Sequence, residues 1–99
     1  MDLERQIARI FEPVKPERVI LFGSHARGDA DEWSDVDLIV VYRTKRRFLD
    51  RLEELYRLWH LPIGVDILAY TPEEFTRMLE ESAFVAEAAA TGKVIVEAA

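Results

Sequence analysis

Four short runs of apolar residues along the chain predict the strands of one β-sheet. Three of them cover residues 18–22, 36–42 and 65–70 and are rich in β-branched side chains, which indicates buried strands. The fourth, at residues 94–96, is long enough for a short final strand. We therefore predict a sheet of three to four strands.

The segments between these runs carry apolar residues at helical spacing. The pattern covers residues 2–11 and 44–60 and continues at 72–79 and 83–90. Helices that alternate with strands indicate an α/β (α+β) fold class. Because 99 residues are the size of one small domain, we expect a single domain over residues 1–99.

The ends of the predicted helices carry recognisable capping residues. Thr71, followed by Pro72 and then by Glu74, has the sequence of a capping box, so a helix should begin there. Thr44 is the expected N-cap of the 44–60 helix, and Gly92 should end the last helix. The 44–60 helix should turn one apolar face inward, formed by Phe48, Leu49, Leu52, Leu55, Tyr56 and Trp59.

Gly23 and Ser24 interrupt the pattern directly after the first strand. Ser24 is expected to N-cap the short helix that follows. A glycine at such a turn lets the backbone come close to a ligand, and the N–H groups at a helix start favour an anionic phosphate. The Ser24 hydroxyl can bond the same phosphate, whereas Arg27 can either reach it or pair with Asp29 or Asp31.

Two aspartates, Asp35 and Asp37, open the second predicted strand. Side chains along a strand alternate between faces, so both carboxylates point the same way while Val36 and Leu38 point into the core. Carboxylates held side by side repel each other and raise one another's pKa unless a cation lies between them. Mg²⁺ takes oxygen ligands and leaves room for substrate phosphates, which suits this pair.

A third carboxylate, Asp66, stands near the start of the third predicted strand, between the apolar Val65 and Ile67. A charge flanked by buried residues is costly, so Asp66 should have a partner. If the third strand lies beside the second, Asp66 joins Asp35 and Asp37. Three carboxylates can hold two Mg²⁺ ions for an in-line phosphoryl displacement.

The balance of charge excludes some partners. The formal net charge of −6 argues against non-specific binding to the phosphate backbone of nucleic acids. One basic cluster departs from this balance and consists of Arg43, Lys45, Arg46, Arg47 and Arg51. It is either the solvated start of a helix or a patch that faces phosphates or an acidic partner.

Composition also bears on the compartment. The chain has no run of about 18 apolar residues, so we expect no membrane span. A secretory signal has a basic segment followed by an apolar one, and the first residues of this chain have neither. With no cysteine there is no disulfide framework. These observations predict a cytoplasmic protein.

The order of these features carries a family resemblance. Residues 21–28 (Leu-Phe-Gly-Ser-His-Ala-Arg-Gly), followed by 34–40 (Ser-Asp-Val-Asp-Leu-Ile-Val), resemble the minimal nucleotidyltransferase branch of the DNA polymerase beta-like superfamily. The motif covers about a fifth of the chain, and the predicted element order extends the likeness over nearly all of it. The resemblance implies a nucleotidyltransferase fold with a mixed sheet flanked by helices.

The resemblance also implies a reaction and its residues. The turn at Gly23 and Ser24 would bind nucleotide phosphates. Asp35, Asp37 and Asp66 would hold Mg²⁺, and Asp66 would help to deprotonate the attacking hydroxyl. A nucleoside monophosphate would then move from a triphosphate to that hydroxyl, with pyrophosphate leaving.

Short members of this branch are similar to antitoxins encoded beside HEPN-type ribonuclease toxins. That likeness implies a protein that binds its toxin and transfers AMP from ATP to a toxin tyrosine. Larger relatives carry a helical domain for the acceptor, so the acceptor site is expected on a partner. Two alternatives stay open, namely a small-molecule nucleotidyltransferase and a non-catalytic protein that neutralises a toxin by binding alone.

Overall fold

A computed structural model describes residues 2–98, in which helices and strands alternate as predicted. The elements run in the order α1 (Leu3–Ile10), β1 (Arg18–Phe22), α2 (Ser24–Arg27), β2 (Val36–Val41), α3 (Phe48–Leu58), β3 (Val65–Tyr70), α4 (Pro72–Glu81), α5 (Ala83–Thr91) and β4 (Lys93–Glu97). A single 3₁₀ turn, Glu12–Val14, follows α1. Residues 1 and 99 of the predicted domain lie outside the described range.

The four strands form one mixed sheet in the order β3-β2-β1-β4. β1 runs antiparallel to both β2 and β4, whereas β2 and β3 are parallel. Parallel neighbours need a crossover connection, and α3 supplies it. The predicted sheet is confirmed, and the third strand does lie beside the second.

The alternating side chains of the sheet face two separate cores. Helices α1 and α3 cover one face, where Ile7 and Leu55 pack with Leu21 and Leu38. Helices α4 and α5 cover the other face, which includes Ile20, Ile39, Phe75 and Val85, with Leu68 packed against them. Because side chains alternate, the residues two positions before Ile39 and Leu68, which are Asp37 and Asp66, lie on the α4/α5 face.

Two predicted helix starts are wrong. The N-cap of α2 is Gly23, so Ser24 is the first helical residue and its hydroxyl makes no capping bond. The Thr44 hydroxyl accepts a hydrogen bond from the Arg46 N–H at 3.0 Å, which satisfies it within a local turn, so α3 begins only after Arg47. The capping box at Thr71 is confirmed, and Gly92 caps the end of α5.

The inward face predicted for α3 is only partly buried. Leu55 is fully buried, whereas Leu49 is 75% exposed and Tyr56 is 41% exposed. The helix lies along the open edge of β3, where the Tyr56 hydroxyl accepts the Ile67 N–H at 3.3 Å. Side chains near that edge therefore remain in contact with solvent although their spacing is helical.

The basic cluster of the sequence is for the most part paired within the chain. Arg43 lies 3.5 Å from both Glu17 and Glu73, and Arg46 lies 3.4 Å from Glu54. Arg51 is buried against Glu74. These pairs favour a structural role for the cluster over a phosphate-binding patch. Separately, none of the helices in the described part of the chain is long and apolar enough to cross a bilayer.

Candidate active site

The aspartates of the sequence motif meet at the end of the sheet where β2 and β3 begin. The parallel register places Asp37 directly opposite Asp66. Asp35 lies one residue before β2, next to the turn that leads into β3. Strand pairing thus places Asp66 beside Asp35 and Asp37. Sequence periodicity alone predicts this only if β3 lies next to β2.

Asp35 is positioned by its contact with Gly64. The Val36 N–H donates to the Gly64 carbonyl at 2.9 Å, which ties the beginning of β2 to the turn before β3. A Cβ atom on Gly64 would lie 2.9 Å from the carboxyl carbon of Asp35, so the carboxylate occupies space that a larger residue would need. Only glycine at this position permits the approach.

A second glycine makes room for Asp37. Gly23 has a φ of 75°, a backbone conformation that other residues adopt only at a cost. A Cβ atom there would overlap the Asp37 carboxylate, whose carbon would be 3.2 Å away. The turn after β1 and the carboxylate of β2 are therefore in direct contact.

The electrostatics of the site centre on Asp37. Its burial raises the pKa of the Asp37 carboxyl, and the neighbouring charges of Asp66 and Asp35 raise it further. His25 and Arg27 act in the opposite direction. Asp66 itself is exposed on the edge strand β3. The expectation that burial makes its charge costly is therefore wrong. The cost of the charge at this site falls on Asp37, first from its burial and then from repulsion by Asp66 and Asp35.

Helix α2 and the loop after it are fixed by polar contacts. The His25 ring nitrogen Nε2 lies 3.1 Å from the Ser34 carbonyl, directly before Asp35. The side chain of Asp31 accepts hydrogen bonds from Trp33 N–H and from the Ser34 hydroxyl, at 2.9 and 3.0 Å. The loop that delivers the first carboxylate is thus held in place by its own side chains.

An open cavity of about 760 Å³ lies over these residues. Its polar lining includes Gly23, Ser24, Arg27, Asp37 and Asp66 and, from α5, Glu87 and Thr91. Arg27 lies 3.3 Å from Asp29, as one of its two expected roles requires, and it also lines the cavity, where its contact with a phosphate stays a prediction. Since Ser24 makes no capping bond, its hydroxyl is available to a ligand.

Several aromatic residues have positions that the sequence did not reveal. Tyr42, which follows β2, and Tyr70, which ends β3, do not line this cavity. Tyr42 is buried and donates to Glu54 at 2.9 Å, and burial raises its pKa to about 12. Tyr56, expected in the core, lines the cavity, as does Phe84. No helical face marked Phe84, because α5 is apolar nearly all round.

The donor set is chemically suited to a hard divalent ion. Asp37, Asp66 and Asp35 offer oxygen atoms, and their mutual repulsion is the kind that a cation relieves. Among residues 2–98, no three carboxylate or imidazole groups are already gathered at metal-ligand spacing. The fit therefore rests on the chemistry of the donors and on the raised pKa of Asp37.

The mixed four-stranded sheet with its flanking helices is a nucleotidyltransferase fold. It resembles the crystal structure of a candidate nucleotidyltransferase from Sulfolobus solfataricus, with a TM-score of 0.58 and 28% identity over 76% of this chain and 72% of that one. It also resembles the crystal structure of a toxin–antitoxin complex with AMP-PNP, with a TM-score of 0.67 and 21% identity over 98% of this chain and 75% of the other. That second likeness shows the fold alone.

The chain belongs to the nucleotidyltransferase domain family, whose pattern matches residues 3–96. A Haemophilus influenzae protein named as probable protein adenylyltransferase MntA is 32% identical over 80 residues, which cover 76% of this chain and 70% of the relative. A Methanocaldococcus jannaschii protein described as a candidate protein adenylyltransferase is 48% identical over 42 residues. That match spans 42% of this chain and only 41% of the relative's length.

The contact between Gly64 and Asp35 can be tested with a matched pair of glycine variants. We expect Gly64→Ala to reduce nucleotidyl transfer by about 10²-fold, because a displaced Asp35 no longer holds the geometry that the reaction needs. Gly28→Ala serves as the control, since Gly28 has a φ of 86° but nothing within 4 Å of an added Cβ. It should cost about 1 kcal/mol of stability and leave transfer unchanged. Equal losses of activity in both variants would refute the positioning role of Gly64.

Proposed function

We propose that this protein is a Mg²⁺-dependent adenylyltransferase that moves AMP from ATP to a hydroxyl of a partner protein. The partner proposed is a HEPN-type ribonuclease toxin, for which this chain would be the antitoxin. The observation that carries the proposal is the pairing of Asp37 with Asp66 beside the turn of Gly23 and Ser24, all on one cavity.

The proposed binding of ATP follows from the polar half of the cavity. Gly23 allows the backbone to approach phosphate oxygens, the Ser24 hydroxyl can donate to one of them, and Arg27 adds a positive charge on the same side. Asp35, Asp37 and Asp66 would hold the metal. When bound, Mg²⁺ would neutralise charge on both the carboxylates and the phosphates.

The transfer step then uses the exposed carboxylate of β3. The acceptor hydroxyl gives its proton to Asp66, and its oxygen forms a bond to the α-phosphorus of ATP. The bond from the α-phosphorus to the bridging oxygen breaks, and pyrophosphate leaves. Because Asp66 lies on an edge strand and is exposed, an acceptor on the surface of another protein can reach it from solvent.

The choice of AMP and of a protein acceptor is supported by relatives. Both of the curated relatives described above carry names of protein adenylyltransferases. The toxin–antitoxin complex that shares the fold was crystallised with an ATP analogue. These names belong to those proteins, and for this chain they support the proposal without testing it.

The proposal is tested by incubating the chain with the protein encoded beside it, ATP and Mg²⁺. We expect the intact mass of that partner to rise by whole AMP units, with the modified residue being a tyrosine. The reaction with Asp66→Asn should give no increase, because the proton acceptor is lost.

Two other outcomes would lead to different conclusions. Tight binding of the partner without any mass increase would refute transfer and support neutralisation by binding alone. A partner that is neither bound nor modified, together with AMP transfer to an added small hydroxyl compound, would support a small-molecule nucleotidyltransferase.

A further inference from the structure

An exposed aromatic side chain, Phe84, stands on the α5 side of the candidate active site. It lines the same cavity as Gly23 and Asp66, yet 62% of its surface is exposed. Single exposed apolar side chains are common on protein surfaces, so the exposure of Phe84 carries weight only because the ring stands inside the candidate nucleotide site. The contacts of Phe84 indicate which part of a ligand its ring would meet.

The ring of Phe84 is held by Phe22. The two rings meet edge to face, with their centroids 5.7 Å apart and their planes at 84°. Phe22 is the last residue of β1 and directly precedes Gly23. The aromatic ring and the proposed phosphate-binding turn are therefore positioned by the same strand end.

The backbone that carries Phe84 is also firmly anchored. The Ser82 hydroxyl caps α5 by accepting the Val85 N–H at 3.2 Å. Val85, the next residue, and Ala88, one turn further on, are buried in the core under the α4/α5 face. The short side chain of Ala88 lines the cavity one turn beyond Phe84 and leaves space beside the ring.

We propose that Phe84 is the stacking platform for the base of the bound nucleotide. This inference rests on the proposed function, because the phosphates are assigned to the turn at Gly23 and Ser24. The acceptor would approach Asp66 at the β3 edge, which leaves the α5 side of the cavity for the base. Helix α5 contributes Phe84 and Ala88 there, together with the polar Glu87 and Thr91. A flat heteroaromatic ring is the part of a nucleotide that fits an exposed phenyl face, and stacking on it does not depend on which base is present.

The experiment compares the binding of ATP with that of inorganic tripolyphosphate, which has no base, in the presence of Mg²⁺. Phe84→Leu keeps an apolar side chain but removes the aromatic face. We expect it to weaken ATP binding by about 5- to 150-fold and to leave tripolyphosphate binding unchanged. Phe84→Trp keeps an aromatic face and should bind ATP at least as well as the wild type.

The matched control is Phe48→Leu. Phe48 is 43% exposed on α3 and does not line this cavity, so its replacement should not alter either affinity. Unchanged ATP binding in Phe84→Leu would overturn the platform, even if modification of the partner were impaired, because Phe84 would then be a partner contact. If the wild type bound neither ATP nor tripolyphosphate, the proposed function would fail together with this inference.

Discussion

The variant Asp37→Asn should lose nucleotidyl transfer and gain thermal stability at the same time. We expect transfer to fall by about 10³-fold or more, because the proposed Mg²⁺ site would lose a charged oxygen ligand, and the cation held there would neutralise negative charge in the transition state. Loss of activity alone could come from misfolding. The accompanying rise in stability separates loss of a catalytic group from loss of structure.

The direction of the stability change follows from the pKa of Asp37. Burial and the neighbouring Asp66 and Asp35 raise this pKa above its ordinary value of 3.8, so the folded protein binds the proton more tightly than the unfolded chain does. Stability therefore falls as the pH rises from 3.8 through the folded-state pKa, and at neutral pH the ionised group destabilises the fold. The amide should restore about 0.5–2 kcal/mol, within the usual range of stabilising single changes.

Thermal melts in buffer without divalent ions measure this effect. Glu80→Gln is the control for overall charge, since it removes one negative charge from the exposed surface of α4. It should change the melting temperature much less than Asp37→Asn does. A melting temperature that falls in Asp37→Asn would contradict the raised pKa of Asp37, which burial and the neighbouring carboxylates cause.

The second large effect is expected at Arg51, which joins α3 to α4. Its side chain is only 10% exposed, and its Nη1 and Nη2 atoms donate to the two carboxylate oxygens of Glu74 at 2.6 and 3.3 Å. Its Nε donates to the Arg46 carbonyl at 2.8 Å. Arg51→Met should destabilise the protein by about 2–4 kcal/mol, somewhat below the value for a fully buried pair, because Glu74 is 32% exposed.

A matched ion pair on the same helix provides the comparison. Arg57 pairs with Glu53 on the exposed side of α3, and Arg57→Met should cost no more than about 1 kcal/mol. Chemical denaturation at neutral pH measures both variants. Similar losses in the two would show that burial of Arg51 does not strengthen its pair.

The pH dependence gives a second check on this contact. The hydrogen bond from Arg51 lowers the pKa of Glu74 below its ordinary value of 4.5. The pair therefore contributes stability above that value, and the contribution is lost as the pH falls through the lowered pKa. Arg51→Met should weaken this acid dependence as well as the stability at neutral pH.

Much of the fold could be predicted from the sequence because periodicity reports local structure. β1 and β3 have the predicted bounds, and the capping box at Thr71 is formed by the predicted residues. The predicted start of α3 is wrong because the Thr44 hydroxyl accepts its hydrogen bond in a local turn. The same hydroxyl could accept one equally well at the start of a helix. Local sequence does not decide between these two uses.

The site was predictable to the extent that it lies on strands. The alternation of side chains placed Asp35 and Asp37 together, but the register that sets Asp66 opposite Asp37 is a tertiary property. Tyr56 and Phe84 were missed for a related reason. Helical spacing shows which residues share a face, but it does not show where the sheet beneath that face ends.

The most direct test of the central claim counts the products of a single reaction. Chain, partner, ATP and Mg²⁺ are mixed, and the pyrophosphate released is compared with the AMP attached to the partner. We predict equal molar amounts with the wild type and neither product with Asp37→Asn. Release of ADP in place of pyrophosphate, or equal yields from the wild type and Asp37→Asn, would contradict a nucleotidyltransferase centred on these carboxylates.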